Sequence, residues 1–231
     1  MNSFAVIFDS DGVIVDSEPF SLAAFREAMD IMGVHLSDED VMANCGLTDP
    51  DIVQYVYRKF NRSVDADLFH AHKTRLYEEK VNAGRLEACP GAPGLLEQLT
   101  AEMIPYALAS SGSSRKIQFN LSRVGLYDKF PVIISGEQVA RGKPDPAIFL
   151  KAAECLGMAP ETCVVVEDSL NGIEAARRAG MKCLAVAGTF PAERLVRADF
   201  VVESLEEVTV RALLSIVDSN NTHPKGGICK C

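Results

Sequence analysis

Short apolar runs alternate with helical patterns over most of the chain after residue 86, and this alternation constrains the fold more than any other feature. Strands are predicted at 104–109, 132–134, 163–166, 182–186 and 200–202, and helices at 113–124, 146–156, 170–179 and 204–217. Strands that alternate with helices predict a parallel sheet covered on both faces. The apolar run at residues 4–8 supplies a further buried strand.

Residues 18–85 interrupt this alternation. Their apolar residues repeat at helical spacing at about 19–32, 38–44, 50–60 and 65–81, without a convincing strand. Ser17 can cap the first of these helices, and Gly33 can end it. We therefore predict a Rossmann-like α/β core formed by 1–17 and 86–218, and an inserted all-α cap domain at 18–85. Residues 219–231 lack an apolar period and are predicted to form a disordered tail.

Charge and composition exclude several classes of partner. The chain has 231 residues and a net charge of −9, which argues against a nucleic-acid or acidic-membrane partner. An apolar run of membrane-spanning length and a signal peptide are both lacking, so we expect a cytoplasmic protein, and we expect it to be a monomer. Seven cysteines, mostly within apolar segments, predict free thiols in a reducing compartment.

Polar residues follow four of the predicted strands. In chain order they are Asp9 and Asp11, then Ser110, Ser111 and Gly112, then Lys143, then Glu167 and Asp168. Ligands of such sheets bind beyond the carboxyl ends of the strands, so we expect these residues to share one edge. Each group also has an ordinary structural interpretation. The interpretations are a turn for the two aspartates, a helix cap for the serines, a solvated loop charge for the lysine and a helix cap for Glu167 and Asp168.

The chemistry of the four groups nevertheless converges. Carboxylates that lie close together repel unless a cation sits among them, and hard oxygen ligands short of a full cage suit Mg²⁺. A lysine, hydroxyls and the free amides of a helix N-terminus suit a phosphate. The combination predicts phosphoryl transfer through an aspartyl-phosphate.

Four segments carry a resemblance to a known family. "FDSDGVIVDSE", "ALASSGS", "GKPDPAIF" and "VVVEDSLNGIEAARRAG" resemble, in order, the four motifs of the haloacid dehalogenase-like (HAD) superfamily. The helical insert resembles the cap of its β-phosphoglucomutase-like and phosphatase subfamily. The resemblance extends over the chain to about residue 218.

The resemblance implies a role for each strand-end residue. Asp9 is expected to be the nucleophile and Asp11 the general acid and base. Ser110 is expected to bind the phosphoryl oxygens together with the amides of Ser111 and Gly112, and Lys143 to neutralise charge. The expected ligands of Mg²⁺ are the Asp9 carboxylate, the Asp11 carbonyl and Asp168, with Glu167 as a further candidate.

The predicted cap contributes the substrate-binding loop "NCGLTDPD", in which Gly46 and Thr48 match the family's small and hydroxyl positions. Mutases of the family carry an arginine where this chain has Asp49, and a histidine where it has Ser21. Lys73 favours a mutase, because it resembles a cap lysine of the mutases. The alternative interpretation is that Lys73 lies on a solvated helix face.

Three functions follow from these residues. We predict a Mg²⁺-dependent phosphomonoesterase of a small phosphorylated metabolite such as a sugar phosphate. The alternatives are a phosphotransferase of the β-phosphoglucomutase type and a non-catalytic binding protein on the same fold. The intact acids and the lysine weigh against the last.

Overall fold

The computed structural model describes residues 4–218, which contain a six-stranded parallel sheet. Its strands are β1 (Ala5–Phe8), β2 (Tyr106–Ser110), β3 (Ile133–Ser135), β4 (Cys163–Glu167), β5 (Lys182–Val186) and β6 (Phe200–Val202). Their order across the sheet is β3-β2-β1-β4-β5-β6. The order therefore reverses at β1, whose neighbours are β2 and β4, and this reversal marks the position where sheets of this type bind ligands.

Within the described range there are nine α-helices. Four of them lie between β1 and β2: α1 (Glu18–Ile31), α2 (Asp38–Ala43), α3 (Asp49–Phe60) and α4 (Ala66–Ala83). The other five are α5 (Ala92–Ala101), α6 (Ser114–Arg123), α7 (Ala147–Leu156), α8 (Leu170–Arg178) and α9 (Val210–Asp218). The helical patterns of the sequence thus correspond to helices, with ends shifted by one or a few residues.

The sheet is buried on both faces, as its continuous apolar strands predict. All four residues of β1 are fully buried. Val6 and Phe8 point into one apolar cluster, and Ala5 and Ile7 into a second cluster on the opposite face. Side chains of successive strand residues point to opposite faces, so one short strand anchors both layers of helices. The predicted fold class is confirmed.

The insert forms its own layer of helices. Helices α1 and α4 pack together, with the rings of Phe25 and Phe69 in edge-to-face contact at 6.0 Å. Val15 and Ala88 form a bridge where the chain leaves and re-enters the core. The two connections therefore run side by side. The exact domain limits stay predictions.

Two sequence-based expectations differ from the structure. Ser17 occupies the N-cap position of α1, but its hydroxyl donates to the Asp11 carboxylate instead of capping the helix. The single helix predicted over 204–217 is divided into a 3₁₀ turn, Leu205–Glu207, and α9. The predicted tail at 219–231 lies outside the described residues.

None of the helices between residues 4 and 218 combines the length and the apolar character that crossing a bilayer requires. The five cysteines in the same range are free thiols.

Candidate active site

The strand order brings three of the four predicted polar groups together. Asp9 directly follows β1. The two strands beside β1 in the sheet, β2 and β4, end in Ser110 and Glu167. Parallel strands end at the same edge of the sheet, so these side chains converge on one place. Asp9, Ser110, Glu167 and Asp168 are all buried. Burial of so many polar groups requires partners for each of them.

Lys143 brings the fourth group to the same place. Its Nζ donates to Asp9 Oδ1 at 2.7 Å and to Glu167 Oε1 at 2.6 Å. The lysine side chain is only 1% exposed. Burial opposes the charge, but Asp9 and Glu167 outweigh it and raise the pKa of Lys143. Lys143 is therefore a buried ammonium that ties β1 to β4, and the interpretation as a solvated loop charge is wrong.

Asp9, Glu167 and Asp168 form an acidic cluster in which one oxygen of each residue lies within 4.8 Å of the others. Burial, together with the nearby carboxylates, raises the pKa of Asp9 to about 7 despite Lys143. Burial and Glu167 also raise the pKa of Asp168 well above its usual range. One ammonium among three carboxylates leaves an excess of negative charge, and this donor set fits a divalent cation.

Two glycines permit the close packing of this cluster. Gly12 has a φ of +74°, and a Cβ there would lie 2.0 Å from Asp168 Oδ2. A Cβ at Gly172, on α8, would lie 1.8 Å from Glu167 Oε1. A side chain at either position would displace an acidic residue of the cluster.

The second oxygen of Glu167 also has protein donors. Oε2 accepts from the backbone amides of Asp168 and Ser169, at 2.8 and 2.7 Å, and from the Ser169 hydroxyl at 2.9 Å. Glu167 therefore fixes both Lys143 and the turn that carries Asp168. Asp168 itself accepts a hydrogen bond from Thr189.

Asp11 has a different environment from Asp9. Its carboxylate accepts from Ser17, from Lys116 Nζ at 2.6 Å and from Asn120 Nδ2 at 3.3 Å. Burial alone would raise the pKa of Asp11, but the Lys116 ammonium and the Ser17 hydroxyl lower it below its usual range. The two aspartates are thus held in opposite electrostatic settings although one residue separates them.

The serine loop after β2 separates into two parts. Ser113 is the residue that caps α6, since its hydroxyl accepts from the amide of Lys116. Ser110 ends β2, and its hydroxyl accepts from the amide of Gly112 at 3.2 Å. The Ser111 hydroxyl donates to the carbonyl of Gly46, in the cap, at 2.8 Å. The helix-cap interpretation is therefore correct for Ser113. Ser110 and Ser111 do not cap α6, and they lie at the site.

A cavity of about 500 Å³ lies between the cap and the core. It is lined by these predicted site residues: Asp9, Asp11, Ser110, Ser111, Gly112 and Asp168 from the core, and Gly46, Thr48 and Lys73 from the cap. The lining does not include Lys143 or Glu167, whose side chains are 1% and 0% exposed. The structure thus gathers all the predicted site residues around one cavity or immediately behind its wall.

In the cap, Lys73 forms an ion pair with Asp49. His70 Nδ1 lies 2.6 Å from the other oxygen of the same carboxylate. Burial opposes ionisation of Asp49, but Lys73 and His70 hold its pKa below the usual range. Lys73 is 23% exposed and faces the cavity, so it does not lie on a solvated helix face.

Sequence reasoning missed several residues at the site. Lys116 and Asn120 contact Asp11, Thr189 contacts Asp168, and Asn171 Nδ2 donates to the carbonyl of Cys45 in the cap loop at 2.9 Å. The spacing of Lys116 and Asn120 was the one available signal, because residues four apart share a helix face. Thr189 and Asn171 carry no comparable signal.

Residues 6–186 match the family described as haloacid dehalogenase-like hydrolase. A phosphorylated carbohydrates phosphatase from Thermotoga maritima is 35% identical over 180 residues, which cover 77% of this chain and 82% of the relative. A β-phosphoglucomutase from Bacillus subtilis is 32% identical over 217 residues, which cover 90% and 93%.

Solved structures show the same likeness. The crystal structure of a β-phosphoglucomutase from Clostridium difficile superposes with a TM-score of 0.82 and 25% identity, covering 96% of this chain and 99% of that chain. The similarity therefore extends over the sheet and the helical insert alike.

Proposed function

Because this chain belongs to the haloacid dehalogenase-like hydrolase family, we propose that it is a Mg²⁺-dependent phosphomonoesterase that works through an aspartyl-phosphate on Asp9. The proposed substrate is a small phosphorylated metabolite, with a sugar phosphate favoured. The observation that carries the proposal is the position of Asp9, a buried carboxylate on the wall of a 500 Å³ cavity, paired with a buried lysine.

The acidic cluster supports a divalent cation at this position. We propose that the carboxylates of Asp9 and Asp168 and the main-chain carbonyl of Asp11 hold Mg²⁺, with Glu167 as a further candidate ligand. Both Glu167 oxygens already accept from protein donors, which favours Asp168 as the stronger ligand. When bound, Mg²⁺ would supply positive charge between the acids and the phosphoryl oxygens.

In the first half of the proposed reaction, a carboxylate oxygen of Asp9 attacks phosphorus and the bond to the ester oxygen breaks. Asp11 must take up a proton against the pKa-lowering effect of Lys116 and Ser17, and it then donates that proton to the leaving oxygen. Lys143 keeps Asp9 oriented through its 2.7 Å hydrogen bond. The Ser110 hydroxyl and the amides of Ser111 and Gly112 are the donors available for the phosphoryl oxygens.

In the second half, Asp11 takes a proton from water, and the water oxygen attacks phosphorus. The bond between phosphorus and the Asp9 oxygen breaks, which releases inorganic phosphate and regenerates the carboxylate. The same residue thus serves as acid and then as base, with the proton returned to it in each cycle.

The size of the cavity and the names of the relatives support a small sugar-like substrate. A volume of about 500 Å³ suits a small metabolite, and the cap loop supplies polar wall residues such as Thr48. The T. maritima relative is named as a phosphatase of phosphorylated carbohydrates.

A phosphotransferase of the β-phosphoglucomutase type is the second candidate, and Lys73 at the cavity wall is the observation that favours it. Its ammonium is paired with Asp49, however, so its charge is already neutralised. A non-catalytic binding role is disfavoured, because binding alone has no need for an acid such as Asp11.

The test is phosphate release from a panel of phosphorylated metabolites, measured with Mg²⁺ and with EDTA. We expect Mg²⁺-dependent release from one or more sugar or polyol monophosphates. Release that is unaffected by EDTA, or its absence for every compound, would contradict the proposal.

A further inference from the structure

Thr189 lies in the loop after β5, and its side chain reaches the acidic cluster. Its hydroxyl donates a hydrogen bond to Asp168 Oδ2. Asp168 follows β4, which pairs with β5 in parallel, so both residues come from the same edge of the sheet. Between residues 4 and 218, no other residue donates a hydrogen bond to this carboxylate. Thr189 is therefore the polar contact that can fix the Asp168 side chain.

The same carboxylate oxygen packs against the backbone of Gly12. A Cβ at Gly12 would lie 2.0 Å from Asp168 Oδ2 and 3.1 Å from Thr189 Oγ1. Oδ2 is thus in contact with the backbone of Gly12 and held by the hydroxyl of Thr189. Oδ1 accepts no hydrogen bond from the described part of the chain, and Asp168 lines the cavity. Oδ1 is therefore the oxygen of Asp168 that is left for a cation.

The loop that carries Thr189 is itself fixed. The amide of Ala187 donates to the carbonyl of Val202, in β6, at 2.8 Å, and the amide of Gly188 donates to the carbonyl of Phe190 at 3.2 Å. Phe190 is buried in the apolar cluster on one face of the sheet. A threonine side chain also has few rotamers, because it is branched at Cβ. The hydroxyl of Thr189 is therefore held in a defined position by the fold.

A carboxylate ligand of Mg²⁺ must present its oxygen within narrow limits, because the ion demands near-octahedral geometry. Glu167 fixes the backbone of Asp168, whose amide donates to Glu167 Oε2 at 2.8 Å. This contact does not restrict rotation about the side-chain bonds of Asp168. The hydrogen bond from Thr189 does restrict it. Loss of such a partner of a metal ligand typically weakens metal affinity by about tenfold to a hundredfold.

We propose that Thr189 is a positioning residue for the metal site, and that it holds Oδ2 of Asp168 so that Oδ1 faces the cation. The inference rests on the proposed function, in which Asp168 is a ligand of Mg²⁺. It makes the loop after β5 part of the site, in addition to the ends of β1, β2 and β4.

The test measures Mg²⁺ binding without substrate, from the rise in unfolding temperature as MgCl₂ is added to EDTA-treated, full-length protein. Thr189→Val removes the hydroxyl and keeps the branched shape. We expect it to raise the dissociation constant of Mg²⁺ by about tenfold. The Mg²⁺ concentration for half-maximal phosphate release is a second measure and should rise by a similar factor. At saturating Mg²⁺, kcat should stay within about threefold of wild type, because the bound ion then holds Asp168 in place.

Two further variants identify the hydroxyl as the group responsible. Thr189→Ser keeps the hydroxyl and should bind Mg²⁺ within about threefold of wild type. Thr162→Val is the matched control, because its hydroxyl donates to the carbonyl of Ala159 at the opposite end of β4. It should leave the dissociation constant unchanged. Thr189→Ala replaces Thr189→Val if the valine variant folds poorly.

A change of less than about threefold in Thr189→Val, by both measures, would overturn the inference. A Thr189→Ser variant as weak as Thr189→Val would also overturn it, because the methyl group would then be the source of the effect. Asp168→Ala separates the inference from the proposed function. If Asp168→Ala weakens Mg²⁺ binding and Thr189→Val does not, the proposed function stands and only the inference falls. If wild-type protein gains no stability from Mg²⁺ and is equally active in EDTA, the proposed function itself falls.

Discussion

Asp9 and Asp11 have identical side chains, but their surroundings shift the two pKa values in opposite directions. Burial raises the pKa of Asp9 to about 7, whereas Lys116 and Ser17 outweigh burial and lower the pKa of Asp11. A group that attacks phosphorus must be ionised, so Asp9 depends on the positive charges of Lys143 and of a bound cation. The difference between the two sites arises from their partners and not from the residue type.

At this scale we predict that Asp9→Asn abolishes turnover while the protein stays folded. The amide keeps the shape of the carboxylate but cannot attack phosphorus, so kcat should fall at least about 10³-fold. Phosphate release under saturating substrate measures the loss, and circular dichroism with thermal unfolding checks the fold. Near-normal activity in this variant would remove Asp9 from the nucleophile role.

A second prediction at this scale concerns the metal and Asp168, one of its proposed ligands. Activity should be lost in EDTA and return with added Mg²⁺, and Ca²⁺ should support it poorly because its looser coordination misplaces the reacting groups. Asp168→Ala should raise the Mg²⁺ concentration needed for half-maximal activity by about tenfold or more. An unchanged requirement in Asp168→Ala would shift the ligand role to Glu167.

At the scale of elements, two cap helices, α2 and α3, are joined through Asp40, a buried residue of α2. Its carboxylate accepts from the Ser37 hydroxyl at 2.6 Å and from the Tyr55 hydroxyl, and it pairs with Lys59. Burial alone would raise the pKa of Asp40, but Lys59, Ser37 and Tyr55 hold it well below its usual range. One carboxylate therefore links the start of α2 to the face of α3.

We predict that Asp40→Asn lowers the free energy of unfolding by about 1–2 kcal/mol at neutral pH, because the ion pair with Lys59 is lost and the hydrogen bonds from Ser37 and Tyr55 to the side chain become weaker. The folded pKa lies below the unfolded value of about 3.9. The stabilisation is therefore fully present above that pH and is lost as pH falls below it. Urea unfolding at several pH values should show the gap between wild type and variant narrowing below about pH 4.

Glu39→Gln is the matched control for this experiment, because Glu39 is an exposed acid next to Asp40. Its effect should stay within about 0.5 kcal/mol. A gap between wild type and Asp40→Asn that stays constant down to pH 3 would show that the carboxylate charge is not the source of the stabilisation.

At the scale of the whole molecule, the sequence contains enough information for the sheet but not for every contact around the cavity. The apolar runs predict the strands, and the polar residues at their ends predict the core side of the site, since both depend on short-range pattern. The pair between Asp49 and Lys73 spans 24 residues and depends on how α3 packs on α4. Lys116 meets Asp11 across 105 residues. Such contacts depend on tertiary packing, which no local pattern specifies.

Several hydrogen bonds hold the cap against the core. The Ser111 hydroxyl and the Asn171 amide donate to the carbonyls of Gly46 and Cys45, and Arg115 pairs with Glu78. They enclose the cavity, which limits access of water to the reacting phosphoryl group. Whether phosphate is released or transferred then depends on which cap side chains can bind the rest of the substrate.

The charges of the cap residues at the cavity bear on whether the protein acts as a hydrolase or as a mutase. A mutase must hold a second phosphate with a cationic group, and Lys73 is the cap cation at the cavity that would serve. Asp49 already pairs with it, and an acid beside a second phosphate repels it by about 1–4 kcal/mol at partly buried separations. We therefore predict release of inorganic phosphate from monophosphates, with little conversion of β-glucose 1-phosphate to glucose 6-phosphate.

The assay follows glucose 6-phosphate formation, with a trace of glucose 1,6-bisphosphate, beside phosphate release. Asp49→Asn should free the Lys73 charge, so that the bisphosphate competes about fivefold or more better against a monophosphate substrate. Asp67→Asn removes an acid from the same cavity without freeing Lys73, and its effect should be smaller. Fast isomerisation by wild-type protein, with negligible phosphate release, would establish the mutase instead. It would also mean that Lys73 can leave Asp49 for a phosphate, because that exchange is the step the ion pair opposes.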